Sequence, residues 1–139
     1  MIFKQDCYAW ALCLVRLLMG ATFIAHGCQK VFGWFGGPGI HGFAGWIAGL
    51  GMPLWLGYAA GGFELIAGIL LFFGIAAEFG ALMVVPVMVM AIYLIHSSHG
   101  YFLPQGCEYA LNLAVLALVV IIGGPGKLAL WDVFNCCRQ

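Results

Sequence analysis

The sequence predicts an all-α integral membrane protein, a bundle of four transmembrane helices, and three observations support this fold class. Hydrophobic residues make up 65% of the chain and charged residues only 7%, with a mean hydropathy of +1.08. A soluble domain carries about 25% charged residues. Four apolar segments have lengths suited to crossing a bilayer, and 139 residues suit a single domain, residues 1–139. The formal net charge is zero, which gives no basic surface for nucleic acid.

The four helices are expected to follow one another with both chain termini on the same side of the membrane. The N-terminus, the turn near residues 74–78 and the C-terminal tail together carry Lys4, Lys127 and Arg138. Under the positive-inside rule these basic residues place both termini in the cytoplasm. The predicted spans are about residues 8–32, 53–73, 78–96 and 108–123.

The loop between the first and second helices has an unusual composition. Residues 33–52 contain eight glycines, and aromatic residues such as Trp34, Phe43 and Trp46 are interleaved with them. We expect a short amphipathic segment near residues 41–50 to lie at the membrane interface, where aromatic rings are favoured. This Gly- and aromatic-rich interfacial loop would cover the mouth of the bundle.

Glu64 is the most informative residue, because it is the only charge within the apolar stretch from Pro53 to Ala77. A charge at that depth costs roughly 3 kcal/mol or more unless it is paired or neutralised. We therefore expect Glu64 to face the interior of the bundle and to have a partner. It is either part of a functional site or a structural polar clamp between helices. Gly57 and Gly61, one turn apart, favour close helix packing nearby.

Seven further polar residues are predicted to form a shaft that leads from the outer face down to Glu64. The rise of an α-helix places Glu64 roughly 15 Å below the outer surface and Arg16 about 6 Å deeper, which predicts an Arg16–Glu64 ion pair. The other six are expected near the outer ends of three helices. They are His26, Gln29, Lys30, His96, Glu108 and Asn112.

Such a shaft suits a small lipophile with a polar head, and a quinone is the expected cofactor. A quinone carbonyl needs a hydrogen-bond donor, and its reduction needs protons. His26, Glu64 and His96 are the predicted catalytic residues, because imidazoles and buried carboxylates transfer protons. The predicted headgroup-binding residues are Arg16, Gln29, Lys30, Glu108 and Asn112. A network that only fixes helix register is the structural alternative.

A set of short motifs extends over most of the chain. They are Arg16, His26-Gly27-Cys28-Gln29-Lys30, the run Phe32 to Gly39, Gly42-Phe43-Ala44, Gly61-Gly62-Phe63-Glu64, Gly68, His96 and Glu108-Tyr109. With these motifs the chain resembles the DoxX family of small four-helix membrane proteins. The resemblance implies a multi-pass protein of the bacterial cytoplasmic membrane, and some members work with quinones or within larger oxidoreductase assemblies. It therefore implies a quinone-linked oxidoreductase subunit.

Other interpretations remain open at this stage. The sequence has neither a dinucleotide-binding glycine motif nor iron–sulfur cysteine spacing, so electrons would come from a partner subunit or a bound substrate. A haem or chlorin ligated by His26 and His96 is a weaker cofactor hypothesis. No metal site is expected, because no four ligands show zinc spacing. The chain could instead be a non-catalytic accessory subunit of a respiratory or photosynthetic complex, in contact with lipid. A disulfide between Cys28 and Cys107 is a further hypothesis.

Overall fold

A computed structural model describes residues 2–130, with side chains from residue 5 onward, and this part of the chain contains helices and no strands. The all-α fold class is therefore confirmed. Arg138, which entered the prediction of orientation, lies outside the described residues. The helices are α1 (Ile2–Phe32), α2 (Gly39–Gly49), α3 (Leu54–Phe73), α4 (Ala77–Ala91), continued by a π-helical turn (Ile92–His96), and α5 (Glu108–Gly123); a short 3₁₀ turn (Trp34–Gly36) precedes α2.

The lengths and compositions of these helices are those of a multi-pass membrane protein. Residues 5–32, 54–73 and 77–96 form three helices that are long and apolar enough to cross a bilayer. The fourth, α5, is apolar but has only 16 residues, a length of about 24 Å against a hydrocarbon core of about 30 Å. It packs on α4 and α1 and completes the bundle, while α2 is the helix predicted within the glycine-rich loop.

Small residues set the register of the antiparallel pair α1 and α3. A Cβ added to Gly20 would lie 2.5 Å from the backbone nitrogen of Phe72, and one added to Gly27 would lie 2.6 Å from Cα of Leu65. From the other helix, a Cβ on Gly68 would lie 2.5 Å from the nitrogen of Ile24. Glycine at all three positions lets the two backbones touch, as in other membrane helix pairs. The contacts also fix which residues of α1 and α3 are level with one another.

The hydrophobic core runs along the bundle from the inner end, where α3 ends and α4 begins, to the first turns of α5 at the outer end. Its residues come from four helices and are almost fully buried. The outer half, where α1 ends and α3 begins, is closed by α2 and is less completely filled, which leaves space between the helices. The largest core side chains are Met19 and Phe23 of α1, Leu71 of α3, Val84 and Met88 of α4, and Leu113 and Val120 of α5.

Candidate functional site

A cavity of about 350 Å³ lies in the outer half of the bundle, between α2, α3 and α4. Its longest wall follows α3 from Trp55 to Glu64, about 14 Å along the helix axis. Every lining side chain other than Lys30 and Glu64 is apolar or aromatic. The lining comes from Lys30 of α1, Phe43, Trp46 and Ile47 of α2, Trp55, Leu56, Ala59, Ala60, Phe63 and Glu64 of α3, Pro86, Val87, Met90 and Ala91 of α4, and Leu94 and Ile95 of the π-helical turn.

Glu64 lies at the inner end of this cavity and is only half satisfied. Its side chain is 3% exposed, and its Oε1 accepts an ion-pair hydrogen bond from Nζ of Lys30. Its second oxygen, Oε2, is buried and accepts no hydrogen bond from any residue that the structure describes. A buried acceptor without a donor costs about 1–3 kcal/mol, and more if it is charged. The prediction that Glu64 faces the interior with a partner is confirmed.

Lys30 is held in place by two groups. Its ammonium pairs with Glu64 and also lies 5.0 Å from the centre of the Phe43 ring, a cation–π distance. Phe43 stacks on Trp46 with ring centres 6.0 Å apart. An ammonium has three N–H donors, so Lys30 can bind a ligand oxygen while it keeps the bond to Glu64. The last turn of α1 also favours a cation, because the helix dipole is negative there.

Two glycines of α3 allow α2 to lie close enough to form the cavity wall. A Cβ on Gly57 would lie 2.5 Å from Cα of Ala44, and one on Gly61 would lie 3.0 Å from Cδ1 of Ile40. The close packing predicted for Gly57 and Gly61 is therefore confirmed. Its consequence is local, because it brings Phe43 over the Lys30 ammonium.

Arg16 is the other buried charge among the described side chains, and it lies at the inner end of the bundle. Its side chain is 0% exposed. The guanidinium donates to the carbonyls of Leu71 and Phe72 at 2.7 Å each, in the last turn of α3, and the Leu71 carbonyl also accepts from the backbone N–H of Gly74 at 3.2 Å. It also donates to three carbonyls of the segment after α5, those of Pro125 at 2.8 Å, Lys127 at 3.1 Å and Leu128 at 3.3 Å. Arg16 thus joins the end of α3 to the end of the described chain.

The predicted Arg16–Glu64 pair is wrong, and the register of α1 and α3 explains why. Gly27 packs on Leu65, so Glu64 is level with Cys28, two residues from Lys30. Arg16 is twelve residues further along α1 from that level, about 18 Å away. The predicted pair requires the outer ends of α1 and α3 to be level with each other. The two helices are staggered instead, so Glu64 lies beside Lys30 and pairs with it.

The continuous polar shaft expected from the sequence is not the arrangement found, because of the eight residues assigned to it only Lys30 and Glu64 line the cavity. His26 on α1 and Asn112 on α5 are exposed at the surface of the chain. Gln29 packs against Gly37, because a Cβ added to Gly37 would lie 2.3 Å from Cγ of Gln29. Glu108 is half-buried in the first turn of α5. Functional roles for these residues stay predictions.

His96 lies next to the cavity without lining it. It ends the π-helical turn, directly after Ile95 of the lining, and its Nδ1–H donates to the carbonyl of Gln105 at 2.6 Å. The other ring nitrogen, Nε2, takes no part in this hydrogen bond. Within the described part of the chain, no three His, Cys, Asp or Glu side chains are grouped so as to hold a metal ion. Cys28 and Cys107 are both unbridged thiols in this structure.

Sequence reasoning missed the apolar part of the site. The lining from α4 and the π-helical turn consists of ordinary aliphatic residues, and no local pattern separates them from lipid-facing ones. Two features of the sequence do mark residues of this lining. The aromatic residues of the glycine-rich loop include Phe43 and Trp46, and Pro86 interrupts the hydrogen bonding of α4 where that helix borders the cavity.

Comparison with known proteins gives a family and one distant relative. The profile of the DoxX family matches residues 11–97, which include α1 from residue 11 onward and all of α2, α3 and α4. A protein of Bacillus subtilis (strain 168) named "Putative oxidoreductase CatD" is 25% identical over 107 residues, covering 77% of this chain and 75% of the relative. No solved structure matches the chain. The family match contains both residues of the ion pair in the cavity, Lys30 and Glu64.

Proposed function

We propose that this chain, which belongs to the DoxX family, is a membrane subunit of a quinone-linked oxidoreductase and holds a quinone-type lipophile in the cavity between α2, α3 and α4. One observation carries the proposal. A largely buried ion pair, Lys30–Glu64, lies at the inner end of an otherwise apolar cavity, and one carboxylate oxygen has no donor among the described residues. Ligand sites typically combine an apolar lining with a few well-placed polar groups.

The chemistry of the cavity fits a ring that carries oxygen substituents. Lys30 supplies N–H donors for a carbonyl oxygen, and the rings of Phe43 and Trp46 lie beside the ammonium for contact with a flat ring. The volume of about 350 Å³ lies at the lower end of the range of about 300–1,000 Å³ for ligand sites. It suits a single-ring headgroup with the start of a tail.

The exposed aromatic residues around the cavity favour entry from the bilayer. Trp46, Trp55 and Phe63 all line the cavity and are 46%, 66% and 45% exposed. In a membrane these side chains contact lipid, so a lipophile can reach the Lys30–Glu64 pair without crossing water. The headgroup would lie at the pair, and the tail would follow α3 toward Trp55.

Glu64 takes the proton-handling role in this proposal, and Lys30 takes the positioning role. Among the three residues predicted to be catalytic, Glu64 is the one that lines the cavity, and Oε2 is the atom at which it would accept or release a proton. Lys30 would orient the headgroup oxygen. His96, beside the outer part of the lining, remains a candidate for exchange of protons with the outer surface.

The oxidoreductase part of the proposal draws on the relative and the family. The name of the Bacillus subtilis relative describes an oxidoreductase. We propose that electrons come from a partner subunit or from a second substrate, since the sequence has no motif for a redox cofactor of its own. We also propose a bacterial cytoplasmic membrane as the location, with both termini in the cytoplasm.

A cavity-filling variant tests the proposal. Ala60→Phe adds a ring to the cavity wall, whereas Ala21→Phe adds the same ring to an exposed face of α1. Each protein is reconstituted in nanodiscs, and retention of radiolabelled decylubiquinone is measured against empty nanodiscs. We expect Ala60→Phe to lower the affinity tenfold or more and Ala21→Phe to match the wild type, with equal helicity by circular dichroism. Equal retention by all three proteins would refute the proposed site.

A further inference from the structure

We infer that the cavity selects the hydroxyl-bearing form of its aromatic ligand, so that it binds a hydroquinone more tightly than the corresponding quinone. The inference rests on the proposed function and deepens it by naming which member of the redox couple the site prefers. It starts from the unequal state of the two oxygens of Glu64, of which one is paired with Lys30 and the other has no donor among the described residues.

The ion pair offers one donor and one acceptor to a ligand. Lys30 has further N–H groups beyond the one directed at Glu64, and a carboxylate oxygen can only accept. A quinone has carbonyl oxygens and no donor, so it can bind Lys30 but leaves Oε2 without a partner. A hydroxyl group does both, because its O–H donates to the carboxylate while its oxygen accepts from the ammonium. The hydroquinone therefore satisfies both halves of the pair.

The carboxylate can present its oxygen to the cavity with little cost. Oε2 is buried, while the Glu64 side chain as a whole forms part of the cavity lining. The last torsion of a Glu side chain is broad and roughly two-fold, so a half-turn exchanges the two oxygens and either one can face the ligand while the other pairs with Lys30. The surroundings supply no competing donor, because the other lining side chains near Glu64, such as Ala60 and Phe63, are apolar.

The size of the preference follows from the strength of one hydrogen bond to a charged group. Such a bond corresponds to about tenfold or more in affinity, because the alternative is a buried acceptor left unpaired. Binding the reduced form about tenfold more tightly raises the two-electron reduction potential of the bound couple by about 30 mV. The site would then favour arrival of electrons at the bound quinone.

The test compares both redox forms of one ligand on wild-type protein and two variants. Decylubiquinone and decylubiquinol are titrated anaerobically onto nanodisc-embedded wild type, Glu64→Gln and Ala60→Phe, and the dissociation constants are measured by equilibrium retention. Glu64→Gln keeps the shape of the side chain but replaces one acceptor oxygen with an N–H₂ donor. We expect about tenfold tighter binding of the quinol by the wild type, and a ratio near one or reversed in Glu64→Gln.

The outcomes separate this inference from the proposed function. If the wild type binds both forms equally, or prefers the quinone, the inference fails while the quinone site stands. If neither form binds the wild type better than Ala60→Phe, the proposed function fails as well. If Glu64→Gln does not fold, the wild-type ratio and the potential of the bound couple still decide. An unshifted potential, in place of the rise of about 30 mV that accompanies a tenfold ratio, would overturn the inference.

Discussion

Arg16 and Glu64 are the two buried charged residues of the described chain, and their surroundings differ in one decisive respect. Arg16 donates hydrogen bonds to five backbone carbonyls from two separate segments. Glu64 has one partnered oxygen and one that accepts no hydrogen bond from the residues that the structure describes, and it lies on the wall of a cavity. The two residues are about 18 Å apart in the register of α1 and α3, so each acts in its own environment.

The difference suggests how buried charges in small membrane proteins can be interpreted. A charge whose hydrogen-bonding capacity is used up by the backbone stabilises the fold and has nothing left for a ligand. A charged group that has only some of its hydrogen bonds and lies beside a cavity can still bind a ligand. Its missing hydrogen bonds destabilise the protein as long as no ligand is bound. By this criterion we propose Arg16 as a structural residue and Glu64 as a ligand-binding one.

The largest effect is expected when Arg16 is replaced. Arg16→Met removes the donors for five carbonyls, two at the end of α3 and three after α5, and should lower the free energy of unfolding by about 3–5 kcal/mol. Unfolding in mixed micelles, followed by circular dichroism, measures it. Arg16→Lys is the control, since it keeps the charge but loses the planar fork and should give a smaller loss. Unchanged stability of Arg16→Met would contradict the structural role.

A smaller loss is expected when the partner of Glu64 is removed. Lys30→Met removes the partner that the carboxylate has within the described part of the chain, which should cost about 2–3 kcal/mol, less than at Arg16 because Lys30 is 23% exposed. The double variant Lys30→Met/Glu64→Gln should recover part of that loss, because no unpaired charge then remains buried at this site. The same unfolding assay applies. Additive losses in the double variant would show that the two residues do not interact.

The register of α1 and α3, which separates the two charges, can be tested with two glycines of α3 that differ in their packing. Gly68→Ala places a Cβ 2.5 Å from the backbone of Ile24 and should lower the free energy of unfolding by about 1–3 kcal/mol. Gly62→Ala, with nothing within 4 Å of the new atom, should be neutral or slightly stabilising. Equal effects of the two substitutions would argue against close packing of α1 on α3.

The smallest effect is expected at an exposed contact between α2 and α3. The hydroxyl of Tyr58 lies 3.0 Å from Nδ1 of His41, and both residues are exposed. Tyr58→Phe removes that hydrogen bond and should cost less than about 1 kcal/mol. Neither residue lines the cavity, so ligand affinity should stay the same. A marked loss of affinity would show that this contact holds α2 in place over the site.

The fold could be predicted from the sequence to a large extent, because composition and segment length determine it. The all-α class, the helical segments, the short helix within the glycine-rich loop and the burial of Glu64 all follow from where the apolar runs begin and end. The close contacts of Gly57 and Gly61 follow from small residues spaced one turn apart. Each of these depends on local sequence alone.

The partners of the buried charges could not be predicted in the same way. They depend on the stagger between α1 and α3, which Gly20, Gly27 and Gly68 set through backbone contacts. Depth counted along each helix separately predicts Arg16 as the partner of Glu64, whereas the observed register makes Lys30 its partner. The acceptors of Arg16 are backbone carbonyls, which every residue has, so no residue type marks them.

The central claim is that the Lys30–Glu64 cavity holds a quinone-type lipophile, and its most direct test is the native content of that cavity. Wild type, Ala60→Phe and Ala21→Phe are extracted gently from the same bacterial membranes, and the small molecules that copurify are identified by mass spectrometry. We expect a quinone-type lipophile in near-equal amount with the wild type and with Ala21→Phe, and little with Ala60→Phe. Recovery of all three only within a larger complex, without such a lipophile, would contradict the claim and favour an accessory subunit.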